Sequence, residues 1–196
     1  MRGVEQIPLV YDLMCTLMEW NGLGRWRARL VARASGRTLE VGVGTGRNLP
    51  RYGALPLLVA VEPRSDALAV ARRRAPSALY VRASAEALPF RPGAFDTVVS
   101  SLVFCSVPDA PRGLGEIRRV LARDGSLLMM EHVRSESRLG GWWHDTIQPL
   151  WTRMAGGCHP NRRTEDTVRA AGFTIIDRVA KGTMRLLTAS ARLREP

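Results

Sequence analysis

Along the chain, short apolar runs alternate with amphipathic stretches. Residues 37–41 (RTLEV), 57–61 (LLVAV), 79–82 (LYVR), 96–100 (DTVVS) and 125–131 (GSLLMME) are near-continuous apolar runs of strand length. Between them, 65–75 and 110–122 space their apolar residues as helices do, and 85–88 reads as a helical or turn segment. Ala67, Leu68, Val70 and Ala71 give the first helix one apolar face, and Arg72–Arg74 load its last turn, where the helix dipole favours cations. Leu114, Ile117, Val120 and Leu121 form the matching face of the second, with Asp124-Gly125 as its stop signal. Strands that are apolar throughout and alternate with helices predict a parallel sheet covered on both faces, a doubly wound α/β fold.

The two ends break this rhythm. Residues 5–34 predict two helices before the first strand, broken at Asn21-Gly22, so 1–35 is expected to form an N-terminal helical cap. Residues 138–160 hold three of the five Trp, six Gly or Pro and little strand pattern. That segment reads as a Trp-rich insertion after the fifth strand, a lid over the sheet edge. Arg163–Ala171, stopped by Gly172, predicts a helix, and 173–180 with 184–191 a terminal strand pair. A chain of 196 residues, 45% hydrophobic, has the length for one domain, 1–196, around one core. No apolar run approaches the ~20 residues that span a bilayer, and the first residues lack the apolar stretch of a secretory signal. A soluble cytoplasmic protein, monomer or homodimer, is the expectation.

The most informative stretch is Glu40-Val41-Gly42-Val43-Gly44-Thr45-Gly46, which follows the first predicted strand. Glycines permit a tight strand-to-helix turn and let a ligand approach the backbone closely. The spacing is G-x-G-x-G rather than the dinucleotide G-x-G-x-x-G, which points to a nucleotide-like ligand not held chiefly by its phosphates. Glu62 ends the second strand, where an acid can accept from a ribose diol; the alternative is an exposed acid in the turn before Pro63. After the third strand comes Ala83-Ser84-Ala85-Glu86. Three successive strand ends, each with a glycine or polar device, place a ligand across the carboxyl edge of the sheet.

The ordered set LEVGVGTGRNLPRY, VAVEP, ASAEALPFRPGAFDTVVSSLVFCSV, EIRRVLARDGSLLMMEHV and GGCHPNR resembles the class I S-adenosylmethionine-dependent methyltransferases, in the group around the ubiquinone and menaquinone C-methyltransferases. LVFCSV, MEHV, the Trp-rich insertion and GGC-x-x-NR look most like the methyltransferase-like alkyl-thiol methyltransferases and their small bacterial relatives. The resemblance covers roughly residues 10–175 and implies a Rossmann-like, mostly parallel seven-stranded sheet in the order 3-2-1-4-5-7-6. It implies S-adenosyl-L-methionine as cofactor, S-adenosyl-L-homocysteine as product, and no metal. Carried over residue by residue, Gly42, Gly44 and Gly46 would cradle the methionine portion, with Glu40 supporting the turn. Glu62 would bind the ribose hydroxyls, and Ser84, Ala85 and Glu86 would edge the adenine, Ser84 standing where many relatives carry Asp. Ser101 and Leu102 would line the sulfonium, and Tyr11 would contact the cofactor as the first helix closes over it.

Methyl transfer from a sulfonium is an in-line displacement, so the protein mainly aligns, excludes water and supplies a base where the acceptor carries a proton. His132, beside Glu131 at the end of the fifth strand, is the candidate base or acceptor-orienting group, against a histidine packed under the following loop. Asp145 is a second catalytic candidate, and Trp143 and His144 with it would line the acceptor pocket. A small, apolar acceptor, most readily a thiol, is expected; a phospholipid amine or a quinone ring is the alternative. Cys15, Cys105 and Cys158 form no disulfide framework or Cys-x-x-Cys site, and Cys105 and Cys158 read as small buried hydrophobes.

Charge adds one question. The net charge is +11, and 28 of the 29 cationic residues are Arg, as a GC-rich genome or a hot habitat would produce. A basic nucleic-acid binder is disfavoured, because the Arg residues are scattered and no Asn/Asp-Pro-Pro-Tyr/Phe-type motif stands at Ser100-Ser101-Leu102-Val103-Phe104. Arg138, Arg153, Arg162 and Arg163 beside Trp142, Trp143 and Trp151 leave two readings: a lid of Trp rings, or peripheral contact with an anionic membrane surface at the inner face.

Overall fold

The computed structural model describes residues 12–13, 15–16, 22–154 and 157–191. Seven strands, β1 (Arg37–Val41), β2 (Leu57–Val61), β3 (Leu79–Val81), β4 (Phe95–Ser101), β5 (Leu121–His132), β6 (Thr174–Lys181) and β7 (Met184–Ser190), form one sheet in the order β3-β2-β1-β4-β5-β7-β6. The first five pair in parallel, and β7 lies antiparallel between β5 and β6. The helices are α1 (Gly24–Val31), α2 (Ser65–Arg74), α3 (Ala110–Val120), α4 (Arg138–Met154) and α5 (Thr164–Ala170).

The continuous apolar runs are explained by burial on both faces. On β5, Leu127 and Met129 point into a cluster with Leu114 and Ile117 of α3 and Val168 of α5. Leu128 and Met130 point the other way, against Leu30 of α1. On β2, Ala60 meets Leu68 and Ala71 of α2, while Val59 and Val61 face the α3 side. Period-two alternation therefore has apolar residues at every position because each face carries helices.

Two boundaries differ from the sequence reading. The helix over 110–122 ends at Val120 and β5 begins at Leu121, not at 125. Leu121 pairs with Phe95 and Ser126 with Thr97, so the residues between them bulge out of the ladder. Asp124-Gly125 marks that bulge rather than a helix stop; the buried Leu121 side chain, 5% exposed, anchors the strand ahead of it. Residues 138–154 form a single helix despite Gly140, Gly141 and an internal Pro149.

The sheet order reverses beside β1: β2 leaves it in one direction and β4 in the other. The crevice beyond the carboxyl ends of such neighbouring strands is the place where ligands bind in open α/β sheets. Here it opens into a cavity of about 1300 Å³.

Candidate active site

The glycine turn after β1 is held by its geometry. Gly42 has φ +69°, and a Cβ there would run into the Val103 side chain. Gly44 has φ +56° and nothing within 4 Å of its Cβ position, and it lines the cavity. Gly46 packs against α2, with its Cβ position 3.0 Å from the Ala71 Cα. One glycine thus serves the β4 exit, one the open site and one the helix.

Glu62 joins this turn to the end of β2. Its carboxylate accepts from the Gly44 and Arg64 backbone N–H groups, both at 3.2 Å. It is 8% exposed and lines the cavity. Burial pushes its pKa up, against the two backbone donors. Ser84 and Ala85 line the same end. Glu86 does not: it accepts from Ser84 Oγ (3.0 Å) and from the Asp109 N–H (2.7 Å), tying the loop after β3 to the start of α3.

Glu40 lies beneath the turn, not in it. Fully enclosed, it accepts from Asn48 Nδ2 at 2.8 Å, and Asn48 Oδ1 in turn accepts from Arg27 at 2.9 Å. Arg27 also donates to Ser101 Oγ at 3.0 Å, so a buried polar chain crosses under the cavity from β1 to α1 and β4. Burial raises the Glu40 pKa to about 7, outweighing Asn48 and the nearby Arg27. Tyr11 lies outside the described residues. Its neighbour Asp12 accepts from Thr45 Oγ1 at 2.6 Å and pairs with Arg74 at 2.8 Å, fastening the N-terminal segment to the glycine turn.

The β4 exit is strained in one place. Leu102 has φ 58°, a left-handed conformation rare for a branched residue, while its N–H donates to the Met130 carbonyl at 2.7 Å. Behind it, fully buried Glu131 accepts from the Val103 and Phe104 N–H groups, both at 3.0 Å. Burial lifts its pKa to about 7. Ser101 and Leu102 both line the cavity, as does His132 at the end of β5. The His132 pKa is lowered by burial first, then by His144, whose ring centroid is 5.6 Å away, and by Arg185. All three favour the neutral imidazole.

The Trp-rich helix contributes differently from its expected part. Trp151 reaches the cavity wall, whereas Trp143, His144 and Asp145 do not line it. Asp145 pairs with Arg134 at 2.8 Å and accepts from Asn161 at 3.2 Å; Trp143 is 56% exposed; and His144 Nδ1 accepts from the Ser135 N–H. The structure instead adds Cys105, Cys158 and the β6–β7 hairpin Lys181–Thr183 to the wall. Cys158, expected as a buried hydrophobe, is only half-buried, and the meeting of these segments is not legible locally because they lie far apart in sequence. Among the described residues no group of His, Cys, Asp and Glu is arranged to hold a metal ion.

Residues 39–129 match the family model of a methyltransferase domain. A demethylmenaquinone methyltransferase of Roseiflexus castenholzii is 30% identical over 177 residues, covering 79% of this chain and 71% of that enzyme. The chain belongs to the class I S-adenosylmethionine-dependent methyltransferases. Human thiol S-methyltransferase TMT1A is 31% identical over 144 residues, 69% of this chain; the chain spans only 59% of that enzyme's length. Among solved structures, a Thermotoga maritima S-adenosylmethionine-dependent methyltransferase superposes with a TM-score of 0.67 at 22% identity, over 88% of this chain and 95% of that one. The site fits the cofactor of this methyltransferase family: the Gly44 Cβ position faces open space, and the Glu62 carboxylate stands in the cavity wall beside it.

Proposed function

We propose that the protein transfers a methyl group to a small apolar thiol. One observation carries the reading: a single cavity joins two unlike ends. Its wall holds Gly44, Glu62, Ser84 and Ala85, and also an apolar group, Leu23, Trp26 and Met184, on the β5 side, where Met184 pairs with His132. Its volume of about 1300 Å³ exceeds the ~300–1,000 Å³ of a single small-molecule site, leaving room for an acceptor beside a cofactor.

S-adenosylmethionine, when bound, supplies a methyl group on a cationic sulfonium. Gly44 would let its methionine portion approach the backbone, Glu62 would accept from the ribose hydroxyls, and Ser84 and Ala85 would edge the adenine. Leu102, held at positive φ, presents its backbone at the β4 exit, where the reacting atoms align. Apolar walls exclude water. Neutral His132 takes the acceptor's proton; a thiol asks little of it, since the thiolate forms close to neutral pH. This explains why one histidine suffices.

A second reading, a lipid acceptor, is favoured by α4. Leu139, Trp142, Trp143 and Leu150 are 83%, 63%, 56% and 65% exposed. At 100° per residue these four lie within one face about 100° wide, and Arg153 falls inside it. Such a face suits peripheral contact with an anionic bilayer, beside a cavity whose wall includes Trp151 of the same helix. The deciding experiment is a labelled-methyl screen across alkyl thiols, phosphatidylethanolamine, demethylated quinones and RNA. Transfer to apolar thiols is expected. Transfer to phosphatidylethanolamine or quinone alone would replace the thiol by a lipid, and transfer to RNA alone would overturn both readings.

A further inference from the structure

The acceptor end of the cavity holds a pair of groups that methyl transfer leaves unused. Cys105, in the loop after β4, and Cys158, beyond α4, are free thiols and both line the wall. The main chain clips their segments together: the His159 N–H donates to the Cys105 carbonyl at 2.8 Å. Thr152 Oγ1 donates to the Cys158 carbonyl at 3.0 Å, and Arg162 donates to the Val107 carbonyl at 2.6 Å. The Cys105 carbonyl thus lies against the peptide that follows Cys158, which sets the two cysteines side by side, and Cys105 Sγ lies 3.6 Å from Ser106 Oγ.

The pair is asymmetric. Cys105 is 5% exposed and Cys158 is only half-buried. The Cys105 thiol, then Trp151, Ser106 and the Arg162 charge, bring Cys158 down to about 7 in spite of its partial burial. Its partnership with Cys158 and burial push Cys105 up. The more exposed sulfur is the one more readily ionised, and the enclosed one holds its proton more tightly. Thiol–disulfide exchange needs such an attacking thiol and a resolving one.

We propose that Cys158 and Cys105 form a thiol–disulfide exchange site for low-molecular-weight disulfides that enter the acceptor end of the cavity. The Cys158 thiolate attacks one sulfur of RSSR, forming Cys158–S–S–R and releasing RS⁻. The Cys105 thiol gives its proton to that RS⁻ and attacks Cys158 Sγ, closing the Cys105–Cys158 disulfide and expelling a second RS⁻, which takes up a proton from water. One RSSR becomes two RSH, and the two protein thiols are oxidised; excess thiol reverses both steps. The bond ties the loop after β4 to the segment after α4 across the cavity wall and narrows the acceptor end. Glu62, at the end of β2, stands two strand spacings of ~4.8 Å from β4, so the cofactor end stays open. The exchange stands on the dithiol alone; only the naming of the two cavity ends rests on the methyltransferase reading.

Cys15 also lines the cavity, so the test uses a Cys15→Ser background. This protein is treated at pH 7 with hydroxyethyl disulfide and followed by intact-mass spectrometry and peptide mapping. Loss of two hydrogens, a Cys105–Cys158 cross-link and full reversal by dithiothreitol are expected. With Cys105→Ser added, the reaction stops at one adduct on Cys158. With Cys158→Ser added, the initial reaction slows at least about three-fold: a thiol half-ionised at pH 7 carries about sixteen-fold more thiolate than one near 8.5, offset about five-fold by lower nucleophilicity. A stable unresolved adduct without cross-link, or an undiminished rate in Cys158→Ser, would overturn the proposal. Calorimetry with S-adenosylmethionine separates the two ideas. Affinity within two-fold in the reduced and oxidised forms is expected, and a ten-fold loss on oxidation would overturn the open cofactor end. No binding to either form would sink the methyltransferase reading, while the cross-link would still decide the exchange.

Discussion

Two glycines in one turn, Gly42 and Gly44, separate folding from binding at the level of single residues. Both have positive φ, which costs an alanine about 1–2 kcal/mol. A methyl at Gly42 would also meet Val103, behind which Glu131 holds the backbone, so the clash has no free end to yield. Gly42→Ala is therefore expected to lower the melting temperature by several degrees more than Gly44→Ala. Gly44→Ala points its methyl into the cavity and should weaken S-adenosylmethionine binding at least ten-fold while the protein remains folded. Glu62→Ala should weaken it about ten- to a hundred-fold, by loss of charge-assisted hydrogen bonds worth about 1.5–3 kcal/mol each. Thermal melts and calorimetry on the same three samples check this. Unchanged affinity in Glu62→Ala would remove that carboxylate from the site.

Helix α4 shows what an element adds beyond its residues. Gly140, Gly141 and Pro149 read as irregular chain, yet the segment is helical. Gly141 is buried with the Arg134 guanidinium against it, so a larger side chain there would have to move the end of that arginine. The helix turns an apolar stripe outward. The protein is expected to sediment with phosphatidylglycerol vesicles, less with phosphatidylcholine, and to be released by salt. Replacing Trp142 and Leu150 by Ser, neither at the cavity, should abolish sedimentation and leave transfer to a water-soluble thiol unchanged. Failure to sediment in the unmodified protein would return α4 to a structural role.

The same contrast explains what was legible beforehand. The cores of β1, β2 and β4, and Gly44 with Glu62, were readable because each is encoded within a few consecutive residues and by backbone needs. The start of β5 was not, since Asp124-Gly125 makes the same local signal in a bulge as at a helix end. Asp145 and Trp143 were placed in the acceptor pocket by proximity in sequence, but the helix phase sends them elsewhere and brings Trp151 to the wall instead. Cys105 and Cys158 meet only through the tertiary fold. Glu40 was expected to support the turn, and its depth beneath it depends on Asn48 and Arg27 arriving from other elements.

At the scale of the whole molecule, that depth has a consequence for pH. Glu40 and Glu131 are enclosed on opposite sides of the β1–β4 switch point, each with a pKa near 7 because burial disfavours the carboxylate. In the unfolded chain both titrate near 4.3. Between about pH 4.5 and 7 the folded protein keeps two protons that the unfolded chain has released. Their contribution to stability therefore falls as pH rises through this window and stays at the lower level above it. On the acid side the signs reverse. Arg37 holds the Asp96 carboxyl down to about 2, a contribution present above pH 4 and lost as pH falls towards 2. His132, whose pKa is lowered, loses stability below its ordinary value of about 6.5, but it is one partly buried group against two enclosed ones. A stability maximum near pH 5–6 follows. The two carboxyls together are worth a few kcal/mol at most, which for a chain of this size means a fall in melting temperature of about 5–10 °C between pH 5.5 and 8. Glu40→Gln retains an acceptor for Asn48 and removes the ionisation, so it should lessen that fall by roughly half. A melting temperature that stays level or rises over this interval in the unmodified protein would mean that the two buried carboxyls are already ionised in the fold.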